Sequence, residues 1–329
     1  MAENQPRQGK RAAVVINPVK SPDKQFKATI TQVCTDAGWE EPLWLETSKD
    51  DPGHGQAKEA LEAGVDVVIA AGGDGTIRAV AEVLAGTDTA MGLLPLGTGN
   101  LLARNLGIDV ASPVRAARGV LEGTESRIDV VKVVVDHAEQ EQMFLVAAGL
   151  GYDASIMANT VDGLKDRVGW LAYVESGLRN LPGKPVTATI TVDGKQEKHR
   201  KVRGVMVGNC GKLMGGLEIF PNAVVTDGIL DLLTFSPHGR FGWLGVVVGV
   251  FGKGKSRSVR SLSGRTAEIS LDSPQEFQID GDHLGSASHL RVTVDPLALT
   301  ILMTASPGRD ELTEEAMRNE NAPAPLDAE

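Results

Sequence analysis

The residues best suited to chemistry are two glycine turns, the first of which carries an acid. Gly72-Gly73-Asp74-Gly75-Thr76 follows the apolar run Val67 to Ala71, and Gly97-Thr98-Gly99-Asn100 follows Met91 to Leu94. Glycine lets the backbone approach phosphate oxygens closely, and its bare N–H groups donate to them. Two such turns in succession suggest a phosphate site. The plainer reading is a pair of tight strand-to-helix turns. Neither turn matches a dinucleotide or Walker signature. Arg78 stands where the third glycine of GxGxxG would fall, and no GxxxxGK run ends in Ser or Thr. No CxxC, HExxH or paired His/Cys spacing occurs, so zinc is not expected.

The elements that must hold these turns alternate between apolar strands and amphipathic helices. Ala12 to Asn17 reads as a buried strand, followed by a helix with Ser21 as N-cap and Phe26, Ile30, Val33 and Cys34 on one face. Pro42 to Thr47 is a second strand, and Gln56 to Ala63 a short helix. The GGDGT strand leads to a helix from Thr76, with Ile77, Val80, Ala81 and Leu84 on one side. The GTGN turn opens a helix to Leu106, and Ser112-Pro113 opens another. This rhythm predicts a parallel sheet covered on both faces, with ligands at the carboxyl ends of the strands. Both glycine turns lie at such ends, as does Asn17.

Near residues 124 to 128 the rhythm changes. Short strands are expected at Ile128–Val135, Met143–Ala148, Val186–Val192, Val202–Val207, Gly228–Phe235, Ala267–Leu271, Phe277–Ile279 and Leu290–Val294. Turn residues separate them, including Asp193-Gly194. That is the pattern of an antiparallel sandwich. Leu297 to Met303 reads as a last strand returning to the first domain, and Val168 to Leu181 as a helix. The expected organisation is a tail over 1–11, an α/β domain over 12–127 with 297–305, a β-sandwich over 128–296, and an acidic tail over 306–329.

The 329 residues suffice for two cores, and 42% hydrophobic with 23% charged residues is ordinary for a globular chain. The net charge is −10, and half of it comes from Arg309 to Glu329, where seven acids face two arginines. That Pro/Ala-rich end reads as disordered. The acidic balance argues against non-specific nucleic-acid binding. Two cysteines far apart fit a reducing cytosol. Neither a secretory signal nor a bilayer-spanning run is visible, so a cytoplasmic location is expected. Phe241 to Phe251 is the most apolar stretch, and Lys253, Lys255, Arg257 and Arg260 follow it. It reads either as core packing beside a basic loop or as a surface that rests on anionic lipid at the inner membrane face.

These motifs resemble the diacylglycerol kinase catalytic-domain family, lipid kinases related to sphingosine and ceramide kinases. The matching residues are Ile16-Asn17-Pro18, Gly72-Gly73-Asp74-Gly75-Thr76, Pro95-Leu96-Gly97-Thr98-Gly99-Asn100 with Ala103-Arg104, Ile128-Asp129, Pro221-Asn222-Ala223 leading to Asp227-Gly228, and Asp280-Gly281-Asp282. They keep the family's order over roughly residues 12 to 303. The resemblance implies an α/β domain that binds ATP, a β-sandwich domain that carries the lipid site, and transfer in the cleft between them. It implies that Asn17, Thr47, Gly72, Gly73, Asp74, Gly75, Thr76, Gly97, Thr98, Gly99 and Asn100 contact nucleotide.

By the same resemblance, Asp74 orients Mg²⁺–ATP. Asp282 is the general base for the acceptor hydroxyl, provided that burial in the cleft raises its pKa. Asp227, with the carbonyls of Val224 and Ile229, matches a structural Mg²⁺ site. Asp129 either joins the acids beside the magnesium or is a solvated acid at a strand edge. On spacing alone, Asp280-Gly281-Asp282 is also ordinary turn chemistry. The family often has an acid directly after the second-turn Asn, where this chain has Leu101. The leading expectation is thus an ATP-dependent lipid kinase in peripheral contact with a membrane, with a homodimer as a possible assembly. A kinase on a soluble substrate such as NAD, or an inactive nucleotide-binding regulator, are the competing readings.

Overall fold

The computed structural model describes residues 9–21, 23–151, 185–213, 218–237, 246 and 257–304. The expected helix at Val168–Leu181, nearly all of the apolar Phe241–Phe251 stretch, Lys253, Lys255 and the acidic tail lie outside these residues.

Strands β1 (Ala12–Ile16), β3 (Val67–Gly72) and β4 (Ala90–Pro95) are buried at every position. With β2 (Leu43–Glu46) they form a parallel sheet in the order β2-β1-β3-β4. Side chains alternate along a strand, so each face needs a cover. Ala12, Val14 and Ile16 pack with Phe26, Ile30 and Val33 of α1 (Phe26–Asp36) and with Ala117 and Val120 of α5 (Pro113–Leu121). Ala13 and Val15 pack with Ala57 and Ala60 of α2 (His54–Glu62) and with Ile77, Val80 and Leu84 of α3 (Asp74–Leu84). A short helix, α4 (Leu101–Asn105), follows the second glycine turn.

Two helix starts differ from the sequence reading. Asn17 caps a short 3₁₀ turn, Pro18–Lys20, and Ser21 closes it, so α1 begins later, at Phe26. Asp74 rather than Thr76 is the first residue of α3, because Gly73 takes the extended N-cap position. Ser112 does cap α5, accepting the Arg115 N–H at 3.3 Å.

The remaining strands are antiparallel: β5 (Thr124–Val135), β6 (Gln142–Phe144), β7 (Ala147–Leu150), β8 (Val186–Val192), β9 (Lys195–Val202), β10 (Gly204–Gly208), β11 (Leu230–Phe235), β12 (Val259–Gly264), β13 (Thr266–Ile279) and β14 (Asp282–Met303). Their inner faces share a second core around Val131, Phe144, Ile190, Val205, Ile269, Phe277 and Val292. Among the described residues all fourteen strands belong to one connected sheet.

β14 makes that connection. Its first part pairs with β13 and its last part runs parallel beside β4, with Ile301 opposite Met91. β5 follows it antiparallel through both regions. The strands expected at Leu290–Val294 and Leu297–Met303 are therefore one strand. A bulge separates them, with Leu297 at φ +51°. Likewise Ala267–Leu271 and Phe277–Ile279 are parts of β13, whose register shifts in between.

Candidate functional site

The first glycine turn closes through its first and fifth residues, Gly72 and Thr76. A Cβ on Gly72 would lie 2.6 Å from the Thr76 Cβ, so glycine there is required by packing. The second turn folds over the first. A Cβ on Gly97 would lie 2.7 Å from the Gly73 Cα, and one on Gly99 would lie 2.6 Å from Asp74 Oδ2. Asn100 sits in the left-handed region at φ +48° and locks its own turn. Its Oδ1 accepts the Gly97 N–H at 3.0 Å and its Nδ2 donates to the Gly97 carbonyl at 2.8 Å.

Gly73 and Gly75 are different. A Cβ on Gly73 would meet nothing closer than 3.6 Å, and its φ of −91° suits any residue. A Cβ on Gly75 would first meet Asp282 Oδ2, also at 3.6 Å. Packing therefore does not require glycine at these two positions.

Asp74 joins the two turns. One oxygen accepts the Asn100 N–H at 2.9 Å and the other the Leu101 N–H at 2.6 Å. Burial pushes its carboxyl above the ordinary range; those two N–H groups oppose the shift and nearby Asp282 adds to it. The Leu101 side chain is buried in the core. The position where the family often has an acid thus contributes an amide to Asp74 and packing to the helix.

The other expected nucleotide contacts line the same sheet edge. The Asn17 N–H donates to the Ala71 carbonyl, the Thr47 N–H to that of Ile16, and the Leu96 N–H to that of Gly72. Strand pairing therefore continues one residue past β1, β2 and β4, and the register sets Thr47, Asn17, Gly72 and Pro95 side by side. Asn17 Oδ1 accepts the Val19 N–H at 3.1 Å. Thr47, Thr76 and Asn100 are buried, whereas Thr98 is exposed.

The second half delivers Asp282 to this edge. β13 and β14 meet at a two-residue turn, Asp280-Gly281, with φ +48° and +90°. Both angles are those of a type I′ hairpin, for which Asp-Gly is a favoured pair. The Asp280 side chain turns inward and accepts the N–H groups of Leu145, Val146 and Ala147 at 3.0, 2.8 and 3.0 Å. Burial pushes its carboxyl up to about 6, against the pull of the Arg78 charge and those three N–H groups. Asp282 emerges on the far side of the turn. Its side chain is 49% exposed, and Oδ2 accepts from Arg78 Nη2 at 2.7 Å. The burial expected for Asp282 is thus found at Asp280, two residues earlier.

Asp129 sits with Asp227 rather than with Asp74. It is fully buried, which excludes the solvated strand-edge reading. Its oxygens accept the N–H groups of Gly228 and Leu297, each at 2.7 Å. It thereby pins the Asp227-Gly228 turn to the bulge of β14. Asp227 Oδ1 accepts the Ile229 N–H at 2.9 Å, and the Val224 carbonyl accepts the Asp227 N–H at 3.3 Å. Burial first, then Asp129 and Asp231, push the Asp227 carboxyl up. Negative charge gathered in this way fits a hard cation. No group of three or more His, Cys, Asp or Glu side chains among the described residues could hold a metal ion, so carbonyls would have to complete such a shell.

Arg78 and Asp280 are the residues that sequence reasoning passed over. Arg78 lies one turn beyond Asp74 on α3, a spacing that could have marked it. Asp280 was visible only as the first acid of a turn. His283 is exposed and pairs with Glu276.

The family model of the diacylglycerol kinase catalytic domain matches residues 11–133, and that of the YegS C-terminal NAD kinase beta sandwich-like domain matches 146–303. A diacylglycerol kinase of Bacillus subtilis (strain 168) is 33% identical over 230 residues, covering 68% of this chain and 73% of the relative. A "Probable lipid kinase YegS-like" of Pseudomonas putida is 29% identical over 305 residues, covering 91% and 97%. A diacylglycerol kinase structure from Bacillus anthracis str. Sterne superposes with a TM-score of 0.67 at 21% identity, covering 91% of this chain and 98% of that one. An NAD kinase from Archaeoglobus fulgidus, solved with ATP, shares the fold more distantly, with a TM-score of 0.51 at 15% identity and coverage of 93% and 98%. The glycine-turn sheet edge and the β-sandwich behind it are those of the diacylglycerol kinase catalytic-domain family, and this chain belongs to it.

Proposed function

We propose that this protein is an ATP-dependent kinase that transfers the γ-phosphate to a hydroxyl of diacylglycerol or a related amphipathic lipid. The observation that carries this reading is the approach of Asp282 to the Gly75 turn and to Asp74. An exposed acid from the β-sandwich half thus stands beside a glycine cradle from the α/β half. Phosphoryl transfer asks for a held phosphate, neutralised charge and an oriented acceptor hydroxyl.

The amides at Gly73, Gly75 and Gly97 to Gly99 would hold the phosphates. Asn17 and Thr47, farther along the edge, would face the rest of the nucleotide. Asp282 would take the hydroxyl proton as the lipid oxygen bonds to the γ-phosphorus and ADP departs, then release it to water through its exposed side. Mg²⁺ brought with ATP supplies charge neutralisation, and Asp74 is the acid that would orient it. A second Mg²⁺ would sit at Asp227 with the Val224 and Ile229 carbonyls and steady that turn. The membrane contact, the homodimer and the cytoplasmic location stay part of this proposal. In the described residues no helix is long and apolar enough to cross a membrane.

The test is transfer of labelled phosphate from ATP to a lipid panel in detergent micelles and, in a parallel assay, to NAD, with Mg²⁺ and with Asp74→Ala and Asp282→Asn as controls. Label in phosphatidic acid that falls by about 10²- to 10⁴-fold in Asp282→Asn is the expected result. Label in NADP instead would identify the soluble-substrate kinase. ATP binding without transfer to any acceptor would identify the regulator.

A further inference from the structure

Arg78 extends from α3 in the α/β half to the hairpin turn of the β-sandwich half. Its side chain is 16% exposed. Nη2 donates to Asp282 Oδ2 at 2.7 Å and Nη1 to the Ile279 carbonyl at 3.1 Å. Ile279 and Asp282 are the two residues that flank the Asp280-Gly281 turn. One guanidinium therefore grips both shoulders of the turn. A planar fork with fixed N–H directions is pre-organised for two separate acceptors, whereas an ammonium is a point charge on a flexible stem.

The surrounding charges give the contact a purpose. Asp74 begins the same helix and adds like charge near Asp282. Asp280 lies buried behind the turn and feels the Arg78 charge. His283 and Glu276, the other titratable groups near the turn, pair with each other. Arg78 is thus the cation between acids of both halves. Without it, Asp282 would be a half-exposed side chain free to choose its rotamer beside a second acid.

Resting on the reading of Asp282 as the acceptor base, we propose that Arg78 is the positioning residue of that base. It sets the carboxylate against the Gly75 turn and ties the two halves together at the point of transfer. Arg78 does not touch the reacting atoms in this scheme; it acts through Asp282.

The experiment is steady-state kinetics on Arg78→Gln, Arg78→Lys, Asp282→Asn and the Arg78→Gln/Asp282→Asn double variant, with a thermal melt of each. In Arg78→Gln, kcat is expected to fall about 10- to 100-fold, the cost of a misplaced catalytic group, while KM for ATP stays within about threefold. Arg78→Lys keeps the charge without the fork and should recover part of kcat. The double variant should be no slower than Asp282→Asn alone, because residues that act as a unit are not additive.

Wild-type kcat in Arg78→Gln, or losses that multiply in the double variant, would overturn the positioning role. If Arg78→Gln melts below the assay temperature, Arg78→Lys carries the same comparison. A wild-type protein that binds ATP and labels no lipid overturns the kinase reading itself, and the positioning role with it. An active wild type indifferent to Arg78 overturns the positioning role alone.

Discussion

Asp280 and Asp282 are two residues apart and live in opposite environments. Strand alternation would put residues two apart on one face. The turn separates them instead, because Asp280 lies in it at φ +48° and aims its carboxylate inward, while Asp282 opens β14 at the surface. Asp280 makes three hydrogen bonds to backbone N–H groups and is still pushed up to about 6, so burial outweighs them. The unfolded chain would titrate it near the ordinary aspartate value of about 3.9. An acid raised in the folded state contributes stability at low pH, and that contribution is lost as pH rises through the folded value. As pH rises from about 4 to 6, the native state should therefore lose up to roughly 3 kcal/mol through this group.

Asp280→Asn cannot titrate. It also turns an amide donor toward three N–H donors, so at low pH it should be less stable than wild type by about 1–3 kcal/mol. The gap should narrow as pH rises toward 7. Urea melts of both proteins between pH 4 and 7 measure this, and a gap independent of pH would show that Asp280 does not titrate in this range.

Among elements, the two turns separate glycines needed by packing from those that packing leaves free. Gly97 backs onto the Gly73 backbone with no room for a methyl, whereas Gly73 itself has room. Gly97→Ala should therefore lower the melting temperature by several degrees, because backbone must move. Gly73→Ala should melt within about 2 °C of wild type. If the turn cradles phosphate, it should nonetheless raise KM for ATP by about tenfold or more. A Gly73→Ala variant with unchanged ATP affinity would reduce the turn to plain strand–helix geometry.

β1, β3, β4 and the helices between them were readable because both faces of a parallel sheet are buried and each cover helix has a single apolar stripe. β9 was not expected over its full span, because it is Lys195-Gln196-Glu197-Lys198-His199-Arg200 before it reaches Val202. It pairs with β8 alone, and an edge strand can carry charge on both faces. β12 was hidden similarly, with Arg260, Ser261 and Ser263 exposed.

The whole molecule hangs on β5 and β14, which pass from one half into the other. Paired residues run from Leu290↔Val135 to Met303↔Thr124 with one bulge. Asp129, buried beneath that bulge, holds the Leu297 and Gly228 amides together. Neither half can shed these strands without exposing the core of the other. Unfolding is therefore expected as one transition. Far-UV circular dichroism should coincide with the fluorescence of Trp39 and Trp44 in a Trp170→Phe/Trp243→Phe background. A first transition seen only by the two tryptophans, both in the α/β half, would show that the halves unfold separately.

The amino-acid sequence alone determined the parallel sheet, the order of motifs, the two glycine turns at its carboxyl edge and the Asp-Gly hairpin before Asp282. Each of these follows from local signals: burial periodicity, glycine spacing and turn preference. Only the tertiary structure decided which acids meet. Asp74 and Asp282 are far apart in sequence and become neighbours because β13 and β14 return the chain to the glycine turns. Asp129 and Asp227 meet elsewhere, and Arg78 reaches the second half only because α3 ends up beneath the hairpin. Contacts of this kind depend on how strands from distant parts of the chain share one sheet, and no periodicity in the sequence records that.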